Sequence, residues 1–199
     1  QTQYEENPYP RWVNTRLMRK PMTIAEIVSK LELGVINDSH SFPKAPRILV
    51  AGCGTGQHSV VTASRFKNSH VTAIDLSLSS LSYARRKTEE LGLKNIEYMQ
   101  ADILDLGMLD QQFDIIESAG VLHHMADPVA GWKVLVDCLK PGGLMKIGLY
   151  SELARQDIVR ARSMINERNI SSEKQEMLSF REQLFNIDIE ITESIKSSN

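Results

Sequence analysis

The chain has 199 residues, of which 42% are hydrophobic and 24% charged, and its formal net charge is -2 at pH 7. This composition excludes a disordered chain and disfavours a nucleic-acid partner recognised through bulk positive charge. Because no apolar run approaches the ~20 residues that cross a bilayer, and Gln1 to Glu6 lack the basic and apolar regions of a signal peptide, we expect a cytoplasmic protein with no membrane partner.

The first residues are rich in aromatic and proline side chains. Tyr4, Tyr9 and Trp12 stand close to Pro8 and Pro10, so the segment is too broken by proline for a helix and too aromatic for a solvated tail. We expect it to pack against another part of the protein.

A capping box predicts the first helix. Thr23 and Glu26 have its spacing, and an apolar face follows up to Gly34, where the helix is expected to end. We assign residues 1–44 to an N-terminal aromatic segment and helix.

From Arg47 onward, short apolar runs alternate with helical patterns. Five strands separated by helical crossovers predict an α/β fold with a doubly wound, mostly parallel sheet, whose ligand crevice lies at the carboxyl ends of the first and fourth strands. Residues 45–150 form this core. The predicted strands are Ile48–Ala51, Val71–Ile74, Ile96–Met99, Phe113–Ser118 and Leu144–Tyr150, and the predicted helices begin at about Gln57 and cover Ser77–Leu91 and Pro128–Leu139.

The remaining residues, 151–199, are predicted to form a helical extension with two amphipathic helices. The alternation from Ile187 to Ile191 would also suit a strand. We expect the sheet to be truncated after strand five and the chain, which begins with Gln1, to be a piece of a longer protein. An exposed sheet edge invites a partner, so we expect self-association as a homodimer, or an edge covered by the terminal helices.

A glycine-rich loop follows the first strand. Glycine at positions 52, 54 and 56 lets the backbone turn sharply and approach a ligand, and free amides at the next helix favour anionic groups. The dinucleotide fingerprint requires glycine at the position that Gln57 occupies, so it is not met.

Acidic residues end the second and third strands. Asp75 follows Gly56 by 19 positions (75 − 56) and could accept the hydroxyls of a ribose lying across the crevice, or serve as an acidic residue at a helix N-terminus. Asp102 could accept an adenine amino group, with Ala101 and Ile103 framing the base, or be a plain turn residue.

These motifs together resemble the class I (Rossmann-like) S-adenosylmethionine-dependent methyltransferases over about residues 45 to 150. The resemblance is carried by Val50–Gly56, Asp75, Ala101–Asp102, Phe113–Ile116 and Leu139–Gly143. It implies that S-adenosyl-L-methionine is the cofactor, with its methionine portion in the glycine loop, its ribose at Asp75, its adenine at Asp102 and the segment after strand four closing over it. The implied cofactor-binding residues are Ala51, Gly52, Cys53, Gly54, Gly56, Gln57, Asp75, Leu76, Ala101, Asp102, Ile103, Ser118 and Ala119.

Candidate catalytic residues follow the fourth strand. His123, His124 and Glu117 could act as a base for a hydroxyl acceptor, whereas a nitrogen or thiolate acceptor needs little help. Adjacent histidines point apart on a regular helix or strand, so at most one is expected to face the crevice, and either could simply shape the pocket wall. His58 is interpreted as a surface or packing residue.

No metal site is expected. No other histidine or carboxylate is spaced with the His123–His124 pair as a ligand set, and Cys53 and Cys138 read as reduced thiols rather than as a disulfide or zinc framework.

The expected function is methyl transfer by in-line displacement to a small-molecule or protein acceptor. The alternatives are a non-catalytic cofactor-binding or interaction module and, less favoured because of Gln57, an NAD-dependent oxidoreductase. The opening Gln3–Trp12 also resembles the lead-in of bacterial methyltransferase domains fused behind tetratricopeptide repeats. Tyr4, Tyr9 and Trp12 would then form a lid over the transferred methyl group or pad the fold. Cofactor binding with weak or no transfer to small test acceptors is expected.

Overall fold

The computed structural model describes Trp12, Thr15 and residues 17–34, 41–151, 153–171 and 173–187. These residues belong to two units, 1–149 and 150–199.

The first unit contains a five-stranded parallel sheet with the order β3-β2-β1-β4-β5. This arrangement confirms the predicted doubly wound α/β fold, and all the pairings are parallel. The strands are β1 (Arg47–Ala51), β2 (His70–Asp75), β3 (Ile96–Gln100), β4 (Phe113–Ala119) and β5 (Leu139–Gly148). The helices are α1 (Ile24–Lys30), α2 (Gln57–Arg65), α3 (Leu78–Glu90) and α4 (Pro128–Asp137), with 3-10 helices at Ile103–Leu109 and Leu122–His124.

The central strand β1 divides the core into two apolar clusters. Ile48 and Val50 belong to the cluster that includes α1, α2 and α3, whereas Leu49 and Ala51 belong to the cluster that includes α4. Successive side chains of a strand point to opposite faces, and a parallel sheet is covered on both faces, so an unbroken apolar run is what such a strand requires.

Local polar side chains fix the helix starts. The Thr23 Oγ1 accepts the N–H of Glu26 at 3.2 Å while Glu26 accepts the N–H of Thr23 at 2.7 Å, which completes the predicted capping box of α1. The Ser77 hydroxyl caps α3, and Asp127 caps α4 ahead of a proline. Helix α1 ends at Lys30, one turn before the predicted stop, because the chain already turns at residues 31 and 32.

The fifth strand differs most from its prediction. It begins at Leu139 rather than Leu144 and ends at Gly148 rather than Tyr150, so α4 stops at Asp137 instead of Leu139. Phe113 of β4 pairs with Leu139 of β5, and Ile115 pairs with Leu144. β5 therefore advances by five residues while β4 advances by two, and the three extra residues form a bulge. The segment predicted to be a turn into the strand is this bulge within it.

The second unit contains a short 3-10 helix at Leu153–Arg155 and the helices α5 (Gln156–Glu167) and α6 (Lys174–Ile187). The two predicted helices are present. Of the alternating stretch from Ile187 to Ile191, Ile187 is the last residue of α6, and the other residues lie outside the described part of the chain. Near the start of this unit the guanidinium of Arg155 stacks 3.8 Å from the ring centre of Tyr150. No helix in the described ranges is long and apolar enough to cross a membrane.

Gly56 is the residue on which the packing of α2 against α3 depends. It has φ +87°, and a Cβ there would lie 2.5 Å from the Cβ of Ala84 and 2.8 Å from the Tyr98 hydroxyl oxygen. Gly92 has a comparable φ of +70° but open space around it. We therefore expect Gly56→Ala to lower the free energy of unfolding by about 1–2 kcal/mol more than Gly92→Ala, as measured by urea denaturation. Equal losses would mean that backbone strain alone matters.

Candidate functional site

The loops after β1 and β4 meet at the carboxyl edge of the sheet. β1 and β4 are neighbours in the sheet, but the chain continues from β1 to β2 on one side and from β4 to β5 on the other. The topological switch point therefore lies between β1 and β4. Gly52 (φ +75°) lies so close to Val121 that a Cβ would be 2.3 Å from its Cγ2. The N–H groups of Gly52 and Cys53 donate to the Ile74 carbonyl at 2.9 and 2.8 Å, which fixes the direction in which the glycine loop leaves β1.

Asp75 connects the glycine loop to the start of α3. Its Oδ2 accepts the N–H of Gly54 at 2.7 Å and its Oδ1 accepts the N–H of Ser77 at 3.0 Å. Each carboxylate oxygen has a further lone pair, so both remain able to accept a ligand hydroxyl. The two interpretations of Asp75, helix-terminal acid and ribose acceptor, are therefore compatible.

The first turn of α2 faces the same loop. Gly56 stands at the N-cap position and supplies no side-chain hydrogen bond to the first-turn amides, which begin at Gln57. Helix N-termini carry partial positive charge and favour anionic groups such as a carboxylate.

Asp102 is the turn residue that caps the 3-10 helix after β3, which is one of its two predicted roles. Its Oδ1 accepts the N–H of Leu104 at 2.9 Å at the start of a 3-10 helix, and the neighbouring Ala101 N–H donates to the Asp75 carbonyl at 3.2 Å. The side chain of Ile103 is 6% exposed and packs in the core, and its role in framing a base stays a prediction. Leu76 and Leu104 are exposed apolar side chains at this edge.

The end of β4 brings Ser118 and Ala119 to the crevice edge. Ser118 is 1% exposed, and its Oγ has no hydrogen-bond partner among the residues that the structure describes. Ala119 is exposed and pairs in register with Gly148 of β5. A buried polar atom of this kind suits a site that receives a polar ligand group.

His123 and His124 lie together rather than apart. Their Nε2 atoms are 3.1 Å from each other and their ring centres 4.2 Å apart, with His124 exposed and His123 partly buried. Leu122–His124 is a single 3-10 turn, so the divergence expected on a regular helix or strand does not occur, and whether only one ring faces the crevice stays a prediction. The pair follows Val121, which contacts the glycine loop.

Glu117 faces α2 and not the crevice. It is 2% exposed, its Oε2 lies 2.9 Å from the Nε2 of His58, its Oε1 lies 3.4 Å from the Nη1 of Arg65, and the Thr62 hydroxyl donates to it. Burial raises the pKa of Glu117, but the hydrogen bonds and positive charges from α2 outweigh burial and lower the pKa to about 2. This geometry corrects its assignment as a candidate base and makes the partly exposed His58 a contact of a buried carboxylate.

Cys53 and Cys138 are buried free thiols. Burial, with the charge of Asp75 as a second cause, raises the pKa of the Cys53 thiol above its usual range, so it is held as an unreactive thiol in the loop. Within the described ranges no three histidine, cysteine or acidic side chains cluster as metal ligands.

One residue of the aromatic opening reaches the site. Trp12 donates its indole N–H to the carbonyl of Thr55 in the glycine loop at 3.0 Å. Tyr4 and Tyr9 lie outside the described residues.

Comparison with known proteins identifies the core of the chain. Residues 48–143 match the model of a family described as "Methyltransferase domain". These residues form a methyltransferase domain. The family match covers β1 to β4, the glycine loop and the start of β5, so it contains every strand end that forms the crevice.

Similar proteins include two curated bacterial relatives and one solved structure. The chain is 39% identical over 57% of its length to an uncharacterized protein of Synechococcus, and 32% identical over 68% of its length to a ubiquinone biosynthesis O-methyltransferase of Marinobacter nauticus. A crystal structure of an S-adenosylmethionine-dependent methyltransferase from Clostridium acetobutylicum is 26% identical, with a TM-score of 0.50, over 67% of this chain and 51% of that one. The chain spans 27% and 55% of the lengths of the two curated relatives.

Proposed function

We propose that the methyltransferase domain binds S-adenosyl-L-methionine and transfers its methyl group to a small-molecule or protein acceptor. The observation that carries this proposal is Asp75, whose carboxylate joins the glycine loop to α3 at the switch point between β1 and β4. A carboxylate in that place accepts ribose hydroxyls while the N-terminus of α2 receives a carboxylate.

The proposed cofactor contacts follow the crevice. The loop from Ala51 to Gln57 would hold the methionine portion, with Ser118 and Ala119 beside it at the end of β4. Asp75 would hold the ribose. Asp102 would accept the adenine amino group, with the exposed Leu76 against the ring and Ala101 and Ile103 framing the base. When bound, the cofactor supplies an activated sulfonium methyl group.

The chain's own residues would position an acceptor in line with that methyl group and exclude water. The relative from Marinobacter is named as an O-methyltransferase, and a hydroxyl acceptor needs a base. The His123–His124 pair is the candidate for it, because one imidazole nitrogen can hold the other ring in a fixed orientation at 3.1 Å. A nitrogen acceptor would not need the pair.

Several finer assignments belong to the proposal. The bacterial origin of the two relatives described above supports a bacterial enzyme, and a cytoplasmic location stays a prediction. A second copy of the chain, or a fused tetratricopeptide-repeat domain, stays a prediction. So does weak transfer to small test acceptors.

Isothermal titration tests the cofactor assignment. We expect binding of S-adenosylmethionine and of its demethylated product S-adenosylhomocysteine, and little affinity for NAD, because Gln57 stands where the dinucleotide fingerprint needs glycine. Tight binding of NAD with none of the sulfonium compound would overturn the proposal. Cofactor binding without methyl transfer to any acceptor would favour the non-catalytic module.

A further inference from the structure

Trp12 contacts the glycine loop from 43 positions away in the sequence. Its indole Nε1–H lies 3.0 Å from the carbonyl oxygen of Thr55 and 3.3 Å from the Thr55 Oγ1. The indole ring also packs edge-on against Tyr83 of α3, with ring centres 6.1 Å apart. Trp12 therefore contacts both the glycine loop and α3.

The contact fixes one particular peptide group. The peptide between Thr55 and Gly56 has its carbonyl bound by Trp12 and its N–H bound to the Cys53 carbonyl at 3.0 Å. The preceding residue, Gly54, donates its N–H to the Asp75 carboxylate at 2.7 Å. Trp12 and Asp75 thus hold two successive residues of a loop whose glycines, with φ of +54° and +87°, impose little conformational restraint of their own.

Two described residues between Trp12 and α1 form hydrogen bonds at the C-terminal end of α2. The N–H of Met18 donates to the Ser64 Oγ at 3.1 Å, and Met22 exchanges backbone hydrogen bonds of 2.8 Å with Arg65 and Lys67. Met18 and Met22 therefore lie against the end of α2, and Trp12 lies against the loop before the start of α2.

We propose that Trp12 is a positioning residue for the cofactor, holding the glycine loop in the shape that receives the carboxylate-bearing part of the ligand. This inference rests on the proposed function. Docking of Trp12 and binding of the ligand both favour the same loop conformation, so each must stabilise the other by linkage.

The contribution of Trp12 to global stability is expected to be small. Its side chain is partly exposed and belongs to neither of the two apolar clusters that surround β1. Loss of its hydrogen bond removes one contact of the glycine loop, and ligand-binding loops open locally without unfolding the domain. An effect on ligand affinity with little change in melting temperature therefore distinguishes positioning from a purely structural role.

The test uses Trp12→Phe, which keeps an aromatic ring and removes the N–H donor, and Trp132→Phe as the matched control. Trp132 is 40% exposed on α4, and the chain contains two tryptophans. We expect Trp12→Phe to weaken S-adenosylhomocysteine binding about three- to tenfold in isothermal titration, with an unchanged melting temperature. Trp132→Phe should leave the affinity unchanged.

The control variant provides a second readout that leaves Trp12 in place. In Trp132→Phe the tryptophan fluorescence comes from Trp12 alone. S-adenosylhomocysteine should shift the Trp12 emission and reduce its quenching by acrylamide. Wild-type affinity in Trp12→Phe, or fluorescence that saturating ligand does not alter, would overturn the inference while the proposed function stands. Failure of the wild-type chain to bind S-adenosylmethionine and S-adenosylhomocysteine would instead overturn the proposed function and the inference with it.

Discussion

Replacing Asp75 with alanine is expected to weaken S-adenosylmethionine binding by roughly 1.5–3 kcal/mol, about 10- to 150-fold in Kd. The change removes the charged acceptor for the ribose hydroxyls and also releases the N–H groups of Gly54 and Ser77, which Asp75 holds at 2.7 and 3.0 Å. Isothermal titration of the purified variant measures the loss.

Two controls make the Asp75 result specific. Asp105→Ala removes an exposed carboxylate from the 3-10 helix after β3 and should leave the affinity unchanged. Asp75→Asn keeps one oxygen to accept a backbone N–H but introduces an amide N–H₂ in place of the other acceptor, so it should bind weakly as well. A folded Asp75→Ala variant with the affinity of the wild type would remove Asp75 from the site.

Glu117→Gln is expected to lower the free energy of unfolding at pH 7 by about 3 kcal/mol. The shift of the Glu117 pKa from 4.5 to about 2 corresponds to a stabilisation of that order, since each unit is worth about 1.36 kcal/mol. The neutral amide also leaves the guanidinium of Arg65 without its buried counter-charge. Urea denaturation measures the difference.

The same variant has a predicted pH dependence. Because the folded-state pKa of Glu117 lies below its unfolded value, the unfolded chain binds more protons in acid, and the stabilisation is complete above about pH 4.5 and is lost as the pH falls towards 2. The stability difference between wild type and Glu117→Gln should therefore shrink from pH 7 to pH 3. A difference that stays constant over this range would contradict the assignment of a charged Glu117.

An exposed glutamate provides the comparison. Glu97 lies 3.7 Å from His70, and its side chain is 68% exposed. Glu97→Gln should change the free energy of unfolding by less than about 0.5 kcal/mol, because solvent screens an exposed pair.

The sequence predicted the sheet well because buried parallel strands are nearly continuous apolar runs, as in Ile48–Ala51. The start of β5 was predicted wrongly because the prediction relied on local composition, which is usually a good guide to turns. Pro141, Gly142 and Gly143 have the composition of a turn, but pairing with β4 incorporates them as a bulge. Long-range pairing overrides such local preferences, and no pattern within the segment announces it.

The candidate site was predictable where the backbone itself forms it and less so where side chains meet across the fold. The glycine loop and Asp75 have fixed spacing, whereas Trp12 reaches Thr55 through a contact with no local signal. Glu117 could have been placed from α2, where His58, Thr62 and Arg65 follow each other at intervals of four and three, and therefore share one face. A polar stripe on a helix against the sheet indicates a buried polar partner.

The position of the crevice has a consequence for the order of folding. Gly52 and Val121, whose side-by-side placement defines the crevice, are separated by 69 positions (121 − 52), and β4 joins β1 only after β2 and β3 have intervened in the chain. Contacts between distant positions form late, because the entropy of closing a long loop opposes them. A chain emerging from the ribosome therefore has its glycine loop long before it has a crevice, and ligand binding during synthesis can begin only once β4 and the turn after it have emerged.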